Sequence, residues 1–365
     1  MNDDFEKKRL ALEAVMEAFW PVPIDPVAWE PEADAGFTGH FASNERMSAM
    51  SMSQLNGETG PETIVVGQDG KLYTGVISGK ILRMNPDLTG IETFADTGGR
   101  VLGLAFDAAG TLLVADAQKG LLSINPDGTF RTLLDGGAGP DSLGFINALV
   151  IARSGTIYVS VATTRFRPAV WGQESVLLDT LEHGNTGQVL EFNPNGGTWR
   201  IVARGFHFSN GVELSQDEQF LFVVETCSYR IWKIAITADD IDIYQSSPQA
   251  KILLDNLPGY PDNLTRGQNG KIWFGMPQRR TSGMDMMAQH PGLRKMLLRL
   301  PRSLWPLPKQ YGHVAAFNED GDIVVDLQDP SGKLFGGATG ATETRERLYL
   351  QSQLAPGLSY IDQEF

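Results

Sequence analysis

The chain has 365 residues, of which 42% are hydrophobic, 9% aromatic and 20% charged, a composition that supports a large core and argues against intrinsic disorder. Its formal net charge of −14 repels polyphosphate, so we expect no nucleic-acid partner. The single cysteine, Cys227, excludes an intrachain disulfide and is consistent with a reducing cytoplasm.

The N-terminal segment has the pattern of one amphipathic helix. Apolar residues recur at three- and four-residue steps from Phe5 to Phe19, and Pro21 ends the pattern. We expect residues 1–45 to form this helix and an arm that packs on a domain of residues 46–365. No apolar run at this end is long enough for a signal peptide or a membrane span, so a cytoplasmic location is expected.

The rest of the sequence repeats one supersecondary unit six times. A turn followed by a short strand recurs as DGKLYTG from Asp69, AGTLLVAD from Ala109, SGTIYVSV from Ser154, DEQFLFVVE from Asp217, NGKIWFGM from Asn269 and RERLYLQS from Arg345. A second strand motif with an Asn-Pro-Asp-Gly turn alternates with it, as in GKILRMNPDLTG, and its last copy is GLSYID. The pattern predicts an all-β fold, a six-bladed β-propeller in which radially arranged sheets protect one another's edges.

The longest interval between strand copies predicts a partly helical lid between blades five and six, at residues 279–311. Within it, four residues fall on one helical face before Pro301: Leu293, Met296, Leu297 and Leu300. The segment is basic, with Asp285 as its one acidic residue. A lid whose charges face water is one interpretation. Contact with an anionic membrane surface or an acidic substrate is the alternative.

One position of the repeat predicts a metal site. Counting back seven residues from the start of each repeated strand gives Glu62, Leu102, Asn147, Asn210, Asp262 and Ala338. Equivalent residues of a propeller lie at the same height around its axis, so the four oxygen-bearing side chains should converge in the tunnel. They could instead cap strands or hold turns. Because all four residues occupy the same position of the repeat, the pattern favours a bound Ca²⁺, with Mg²⁺ as the alternative. The predicted ligands are Glu62, Asn147, Asn210 and Asp262.

The repeat segments also resemble a known family. GPETIVVGQDGKLYTGV, GRVLGLAFDAAGTLLVADA, FSNGVELSQDEQFLFVVET and LPGYPDNLTRGQNGKIWFGM are similar to the strictosidine synthase-like branch of the gluconolactonase, senescence marker protein and paraoxonase superfamily. The resemblance runs from about Pro21 to the C-terminus. It implies a six-bladed propeller with calcium in the tunnel, held by the same four residues, and makes Asn263 a fifth ligand or a substrate contact. Relatives usually have Asp where this chain has Ala148, so the blade-three substrate contacts are open.

Together these features predict a calcium-dependent hydrolase of a lactone or related ester, with a small-molecule substrate as its partner. The metal would polarise the carbonyl, and Asp262 would activate water or attack directly. His207, in GFHFSN, is a candidate general acid or base, or an ordinary packed histidine.

Several residues near the ligand segments are candidate substrate contacts. Phe145, Phe208 and Tyr260 would line an apolar pocket, or belong to the core. Arg100 would bind an anionic group of the substrate, or form a surface ion pair.

Two other classes of function remain open. A biosynthetic enzyme of the strictosidine synthase type would condense, cyclise or isomerise its substrate. The resemblance implies that a condensing enzyme of this type uses a glutamate in the last blade. The matching stretch of this chain, GGATGA at residues 336–341, has no carboxylate, and Glu343 is the nearest one. A non-catalytic binding propeller with structural calcium is the other alternative. The sequence does not indicate an oligomeric state.

Overall fold

The structure is a computed structural model that describes residues 20–305, 310–333 and 335–362, together with Lys8 and Val15. The helix predicted over the first twenty residues falls outside this part of the chain, and the division at residue 45 also stays a prediction. Within the described residues, no helix is both long enough and apolar enough to cross a bilayer.

The predicted six-bladed propeller is confirmed. The strands, numbered in chain order, form six sheets. Blade one contains β2 (Ile64–Val66), β3 (Leu72–Gly75), β4 (Lys80–Met84) and β5 (Glu92–Asp96). Blade two contains β6 (Val101–Phe106), β7 (Leu112–Asp116), β8 (Gly120–Ile124) and β9 (Phe130–Asp135). Blade three contains β10 (Ile146–Ile151), β11 (Ile157–Val161), β12 (Gly187–Asn193), β13 (Thr198–Phe206) and the short parallel β17 (Ile241–Asp242).

The remaining three blades complete the ring. Blade four contains β14 (Ser209–Leu214), β15 (Phe220–Glu225), β16 (Arg230–Ala235) and β18 (Ala250–Leu254). Blade five contains β19 (Leu264–Arg266), β20 (Ile272–Gly275), β21 (Gly312–Phe317) and β22 (Ile323–Asp329). Blade six contains β23 (Ala338–Glu343), β24 (Arg347–Ser352), β25 (Gly357–Asp362) and β1 (Ser51–Gln54).

The N-terminal strand closes the ring. β1 pairs antiparallel with β25, from Ser51 opposite Tyr360 to Gln54 opposite Gly357, so blade six is built from both ends of the chain. The first strands of neighbouring blades contact each other around the central tunnel. Hydrogen bonds thereby hold the segment that leads into blade one against the last strand of the chain, which closes the ring.

Apolar side chains between the blades form the core. Phe222 of blade four packs edge to face on Phe317 of blade five, with ring centroids 5.8 Å apart. Leu113 of blade two and Val159 of blade three share another buried cluster. Because blades cover both faces of each sheet, a strand such as Phe220–Glu225 is buried almost throughout, which explains its continuous apolar sequence.

Helices occur in two insertions, each between the second and third strands of a blade. In blade three the insertion contains α1 (Pro168–Trp171) and α2 (Glu174–Glu182), which the sequence did not reveal. In blade five it contains α3 (Ser282–Ala288) and α4 (Pro291–Arg299). The prediction that this second insertion lies between blades five and six is wrong. The sequence pattern located the insertion only between the second strand of blade five and the second strand of blade six. The strand that follows the insertion, GHVAAF, is the third strand of blade five, so the insertion lies within that blade.

Five short 3-10 helices complete the described elements: Gly39–Phe41, Arg46–Ala49, Thr226–Ser228, Gln268–Gly270 and Arg302–Leu304.

The two insertions pack into one body, which we call the lid and define as residues 163–186 and 276–305. Since strands alternate in direction, connections between second and third strands lie at the end of the propeller where the inner strands begin. Apolar residues of both insertions share one buried cluster with Ile24 of the N-terminal arm: Phe166, Leu178, Leu181, Met287 and Leu297.

The arm is bound to both halves of the lid by backbone hydrogen bonds. Val27 N donates to Glu182 O at 2.9 Å, and Trp29 N donates to Ala288 O at 3.2 Å. The lid and the arm therefore cover the tunnel end at which the four candidate ligands were predicted.

Candidate metal centre and its surroundings

The structure places the four predicted ligands at the lid end of the tunnel. Glu62 and Asp262 lie two residues before the inner strands of blades one and five, and Asn147 and Asn210 are the second residues of those of blades three and four. All four are buried, with 4–6% of each residue exposed. The repeat position deduced from the sequence is therefore one level of the propeller.

Local irregularities in strand pairing set the direction of the two asparagines. The pairing of β10 with β11 shifts register between Ile146 and Leu149, and that of β14 with β15 shifts between Ser209 and Val212. Asn147 and Asn210 lie inside these shifts. An extra residue in one strand is left out of the ladder and its side chain is redirected, a feature common next to functional sites.

A register shift of the same kind in blade six shows that the sequence count chose the wrong residue there. β23 shifts register between Ala338 and Gly340, so the residue equivalent to Asn147 is Thr339 rather than Ala338. β24 begins two residues after the start of its motif, whereas the other second strands begin three residues after theirs, which displaced the count by one. The Thr339 hydroxyl donates to the backbone oxygen of Glu62 at 3.0 Å and so supports a neighbouring ligand.

Within the described part of the chain, the amide oxygens of Asn147 and Asn210 have no hydrogen-bond partner, although both are buried. Asn210 is held by its nitrogen, because Nδ2 donates to Thr226 Oγ1 at 3.2 Å, and Thr226 in turn donates to Pro261 O at 2.8 Å. Buried acceptors without a donor cost free energy, and such groups are rare in folded proteins. Two such oxygens at one level of the tunnel fit the coordination of a hard cation.

The two carboxylates lie in an environment that disfavours their charge. Burial raises the pKa of Asp262 well above its usual range and the charge of Glu62 raises it further, against a hydrogen bond from Asn210. Burial also raises the pKa of Glu62, and Arg100 opposes this shift. A divalent cation between the carboxylates would remove their repulsion. Among the residues that the structure describes, no group of three or more His, Cys, Asp and Glu side chains is arranged for a metal.

Arg100 has a role that the sequence did not reveal. Its Nη2 donates to Oε2 of Glu62 at 2.5 Å, and only 7% of the Glu62 side chain is exposed. The pair is thus not a surface ion pair. The other terminal nitrogen, Nη1, is buried and has no partner among the residues that the structure describes, so it is available to a ligand.

Space next to the site lies mainly in the tunnel. A cavity of about 360 Å³ runs along the inner strands, and Gly103, Ala148 and Asn263 line the part of it next to the ligand level. Asn263 is buried, and its Nδ2 donates to Glu62 O at 3.4 Å. Under the lid, by contrast, a cavity of only about 10 Å³ remains, lined in part by Trp29, Tyr260 and Arg294.

Comparison with known proteins identifies the family. A family model described as strictosidine synthase-like, N-terminal, matches residues 39–84, and one described as strictosidine synthase matches residues 147–239. Strictosidine synthase-like 6 of Arabidopsis thaliana is 30% identical over 275 residues, which cover 73% of this chain and 68% of that protein. The chain belongs to the strictosidine synthase-like family. The resemblance predicted from the sequence is thereby confirmed.

Other relatives of this strictosidine synthase-like protein extend the match. The adipocyte plasma membrane-associated protein of Bos taurus is 28% identical over 359 residues, covering 92% of this chain and 84% of that protein. Among solved structures, a gluconolactonase from Xanthomonas campestris has a TM-score of 0.59 and 19% identity, covering 93% of this chain and 98% of the other. A calcium-binding regucalcin from Agrobacterium tumefaciens has a TM-score of 0.54 and 13% identity, covering 85% and 94%. These two structures share the fold.

The aromatic residues predicted to contact substrate occupy two places in the strictosidine synthase-like protein. Phe145 and Phe208 pack edge to face with centroids 5.6 Å apart, in a buried cluster that also contains Leu102, the blade-two residue of the ligand position. Tyr260 lies under the lid, where its hydroxyl accepts a hydrogen bond from the Tyr229 hydroxyl at 3.2 Å. Both groups adjoin the ligand-bearing segments.

His207 is in a stack of rings rather than among the ligands. It stacks on His183 with centroids 3.9 Å apart, and His183 stacks on Trp29 of the arm at 4.1 Å. Burial lowers the pKa of His207, so its imidazole is neutral at pH 7. Within the described residues, no hydrogen bond or ring contact links His207 to the four candidate ligands, so its catalytic role stays a prediction.

Proposed function

We propose that this strictosidine synthase-like protein is a calcium-dependent hydrolase that opens a lactone or cleaves a related ester. The observation that carries the proposal is the pair of buried, unpartnered amide oxygens beside two mutually repelling carboxylates at one end of the tunnel. One matching family model bears the name of an enzyme, strictosidine synthase, and one structural neighbour is a gluconolactonase, which supports catalysis on this scaffold.

Glu62, Asn147, Asn210 and Asp262 would hold the ion. Two carboxylates and two amides offer four oxygen ligands and a charge of about −2, which suits Ca²⁺ and leaves positions for water or substrate. When bound, the ion supplies a Lewis acid that polarises the substrate carbonyl and stabilises the oxyanion.

Asp262 is the residue that we assign to proton transfer. Its carboxylate receives a hydrogen bond from Asn210, and its backbone nitrogen donates to Gly275 O at 3.0 Å, so its position is fixed from two sides. A carboxylate held in place beside the bound ion can accept the proton of an attacking water. Asn210 and Thr226 then keep the acceptor oriented.

Arg100 and Asn263 are suited to orienting the substrate. The buried Nη1 of Arg100 has a free donor beside Glu62, and Asn263 lines the tunnel next to the ligand level. The volume of the tunnel cavity is in the range of small-molecule sites, about 300–1,000 Å³. A compact lactone or ester therefore fits on the tunnel side of the metal level, where Leu104, Leu149 and Leu264 supply apolar lining.

The condensing alternative lacks its carboxylate at this end of the tunnel. Glu343 is at the far end of β23, where it accepts hydrogen bonds from Lys271 Nζ at 2.5 Å, Trp273 Nε1 at 2.8 Å and Gln268 N at 3.0 Å. The three donors belong to blade five, so they hold the Glu343 carboxylate of blade six at the contact between these two blades. A binding propeller with structural calcium is the alternative that the experiment must separate.

The test is turnover of a panel of lactones, aryl esters and phosphotriesters by purified protein, with and without a calcium chelator. We expect calcium-dependent turnover of a lactone or ester, and a loss of at least about a hundredfold in kcat for Asp262→Asn. Glu343→Gln is the matched control and should retain full activity. Bound calcium without turnover of any substrate would instead support a binding propeller.

A further inference from the structure

The outer side of the lid has an unusual distribution of residues on helix α4. Leu293, Met296 and Leu300 follow each other at steps of three and four, and 40–45% of each is exposed. On the opposite side, Arg294 is 2% and Arg299 is 7% exposed. A surface helix normally buries its apolar stripe and exposes its charges, so α4 is reversed with respect to water.

The reversal follows from what the arginine does. Arg294 donates to Leu181 O at 3.0 Å and to Ala288 O at 3.2 Å, and a further donation to Val27 O joins the arm. The guanidinium is needed inside, because it satisfies carbonyl groups at the ends of two lid helices. Of the four residues predicted to share one helical face, Leu293, Met296, Leu297 and Leu300, Leu297 alone is buried.

The lid as a whole exposes more large apolar side chains than its share of the chain. Twenty large apolar side chains are exposed in the described residues, and eight of them lie in the lid, which makes up about a seventh of the chain. Besides the α4 stripe they are Val170, Trp171, Val176, Met286 and Leu304. Trp20, 58% exposed, adjoins them because its backbone oxygen accepts from Arg299 Nε at 2.9 Å. Concentrated apolar surface of this kind marks an interaction site.

Charge distinguishes the occupants of this surface. The lid contains eight Arg and Lys residues against four Asp and Glu residues, a net charge of +4 on a chain of −14. Three of the cationic residues and two of the anionic ones are buried, which leaves five cationic against two anionic residues at the lid surface: the buried residues are Arg280, Arg294, Arg299, Asp179 and Glu182. A partner with a negative surface is attracted to the lid and repelled by the rest of the molecule. Two copies packed lid to lid would bring like charges together. Tryptophans at the edge, Trp20 and Trp171, are residues that favour the headgroup region of a bilayer.

We propose that the outer face of the lid docks this protein on an anionic phospholipid surface. Apolar side chains of α4 enter the interface, and the cationic lid orients the molecule. The lid covers the tunnel end that holds the candidate metal residues, so docking brings that end next to the lipid. The proposal does not depend on the hydrolase activity.

The test is co-flotation of the full-length chain with vesicles of phosphatidylcholine alone and of phosphatidylcholine with phosphatidylglycerol. We expect binding to the anionic vesicles, weakening in about 0.5 M salt, where the Debye length is only about 4 Å. Met296→Glu with Leu300→Glu should reduce binding by about tenfold or more, since two inserted side chains are lost. The matched control, Ile252→Glu with Val324→Glu, changes two similarly exposed residues on the outermost strands of blades four and five and should bind as the wild type does.

Melting temperatures and sedimentation velocity without vesicles accompany the flotation. Equal binding by the lid variant and the control would overturn the proposal, as would no binding by the wild type. A wild-type dimer that the lid variant converts to a monomer would overturn it in favour of a second copy of the chain on this face.

Discussion

Arg100 donates from Nη2 to Oε2 of Glu62 at 2.5 Å, so a fixed positive charge lies against one of the four proposed calcium ligands. The pair compensates a carboxylate that is otherwise buried. It also reduces the negative charge available to a divalent cation. Arg100 should therefore stabilise the metal-free protein and weaken its affinity for calcium.

Replacing Arg100 tests both halves of this statement. Arg100→Gln should increase calcium affinity by about tenfold, because a like charge near the ion is removed, and should lower the melting temperature of the metal-free protein. Isothermal titration calorimetry and thermal unfolding in chelator measure the two effects. Arg83→Gln, which breaks a more exposed pair with Glu92, is the control and should change neither. A weaker affinity in Arg100→Gln would show that the arginine organises the site.

Thr226 should matter for metal binding although its side chain is not a proposed ligand. Its hydroxyl accepts from Asn210 Nδ2 and thereby directs Oδ1 of that asparagine into the tunnel. Thr226→Val keeps the shape and should weaken calcium binding by about tenfold to a hundredfold, as loss of outer-shell partners typically does. Thr342→Val, at the far end of the tunnel, removes a comparable buried hydroxyl and should leave calcium affinity unchanged. Equal losses in both variants would contradict this role.

The six-fold repeat and the shared position of the four candidate ligands could be predicted, because both depend on strand periodicity, which is visible in the sequence. Glu62, Asn147, Asn210 and Asp262 keep one phase in four blades, and the structure places them at one end of the tunnel. Thr339 was missed because a shift of one residue in a strand start has no sequence signal. The ion pair of Arg100 with Glu62 was not predicted, because the two residues belong to neighbouring blades and the periodicity of the sequence contains no information on contacts between blades.

The lid was the least predictable part. An apolar pattern on α4 indicates a helix but not which side faces inward, and the carbonyl groups that retain Arg294 inside come from distant segments. The helices of blade three were overlooked because the buried face of α2 mixes polar with apolar residues, which interrupts its apolar pattern: Ser175, Leu178, Asp179, Leu181 and Glu182.

Asp179 should make stability depend on pH. Burial, with a smaller contribution from the charge of Glu182, raises the pKa of this lid carboxyl to about 8. Between about pH 4, where an unfolded Asp loses its proton, and about pH 8, the folded chain retains a proton that the unfolded chain has released, so stability falls as pH rises. Asp179→Asn removes this linkage. The variant should melt at a higher temperature than the wild type at pH 8, and at a similar temperature at pH 4.

Thermal unfolding at several pH values measures this effect. The free energy of unfolding should fall by up to about 1.4 kcal/mol per pH unit across this interval, a slope that is easy to detect. The control, Asp127→Asn, should act weakly and in the opposite direction, since the pKa of the exposed Asp127 is lowered by hydrogen bonds from Thr129. A difference between Asp179→Asn and the wild type that stays constant with pH would contradict the assignment.

Arg294 should hold the lid and the arm in place. Arg294→Met removes donors from several buried carbonyl groups and should destabilise the protein by about 2–4 kcal/mol. Limited proteolysis should then cleave the lid faster than in the wild type. Arg302→Met breaks the exposed pair with Glu174 and should cost less than about 1 kcal/mol, with no change in cleavage. Identical cleavage of both variants would show that the lid does not depend on Arg294.

Calcium binding to the purified, chelator-treated protein tests the central claim most directly. Calorimetric titration of the wild type should show one Ca²⁺ per chain. Asn147→Ala with Asn210→Ala should lower the affinity by about a hundredfold or more, because half of the proposed oxygen ligands are lost, while circular dichroism shows an intact propeller. No calcium binding by the wild type, or equal binding by the folded double variant, would contradict the account.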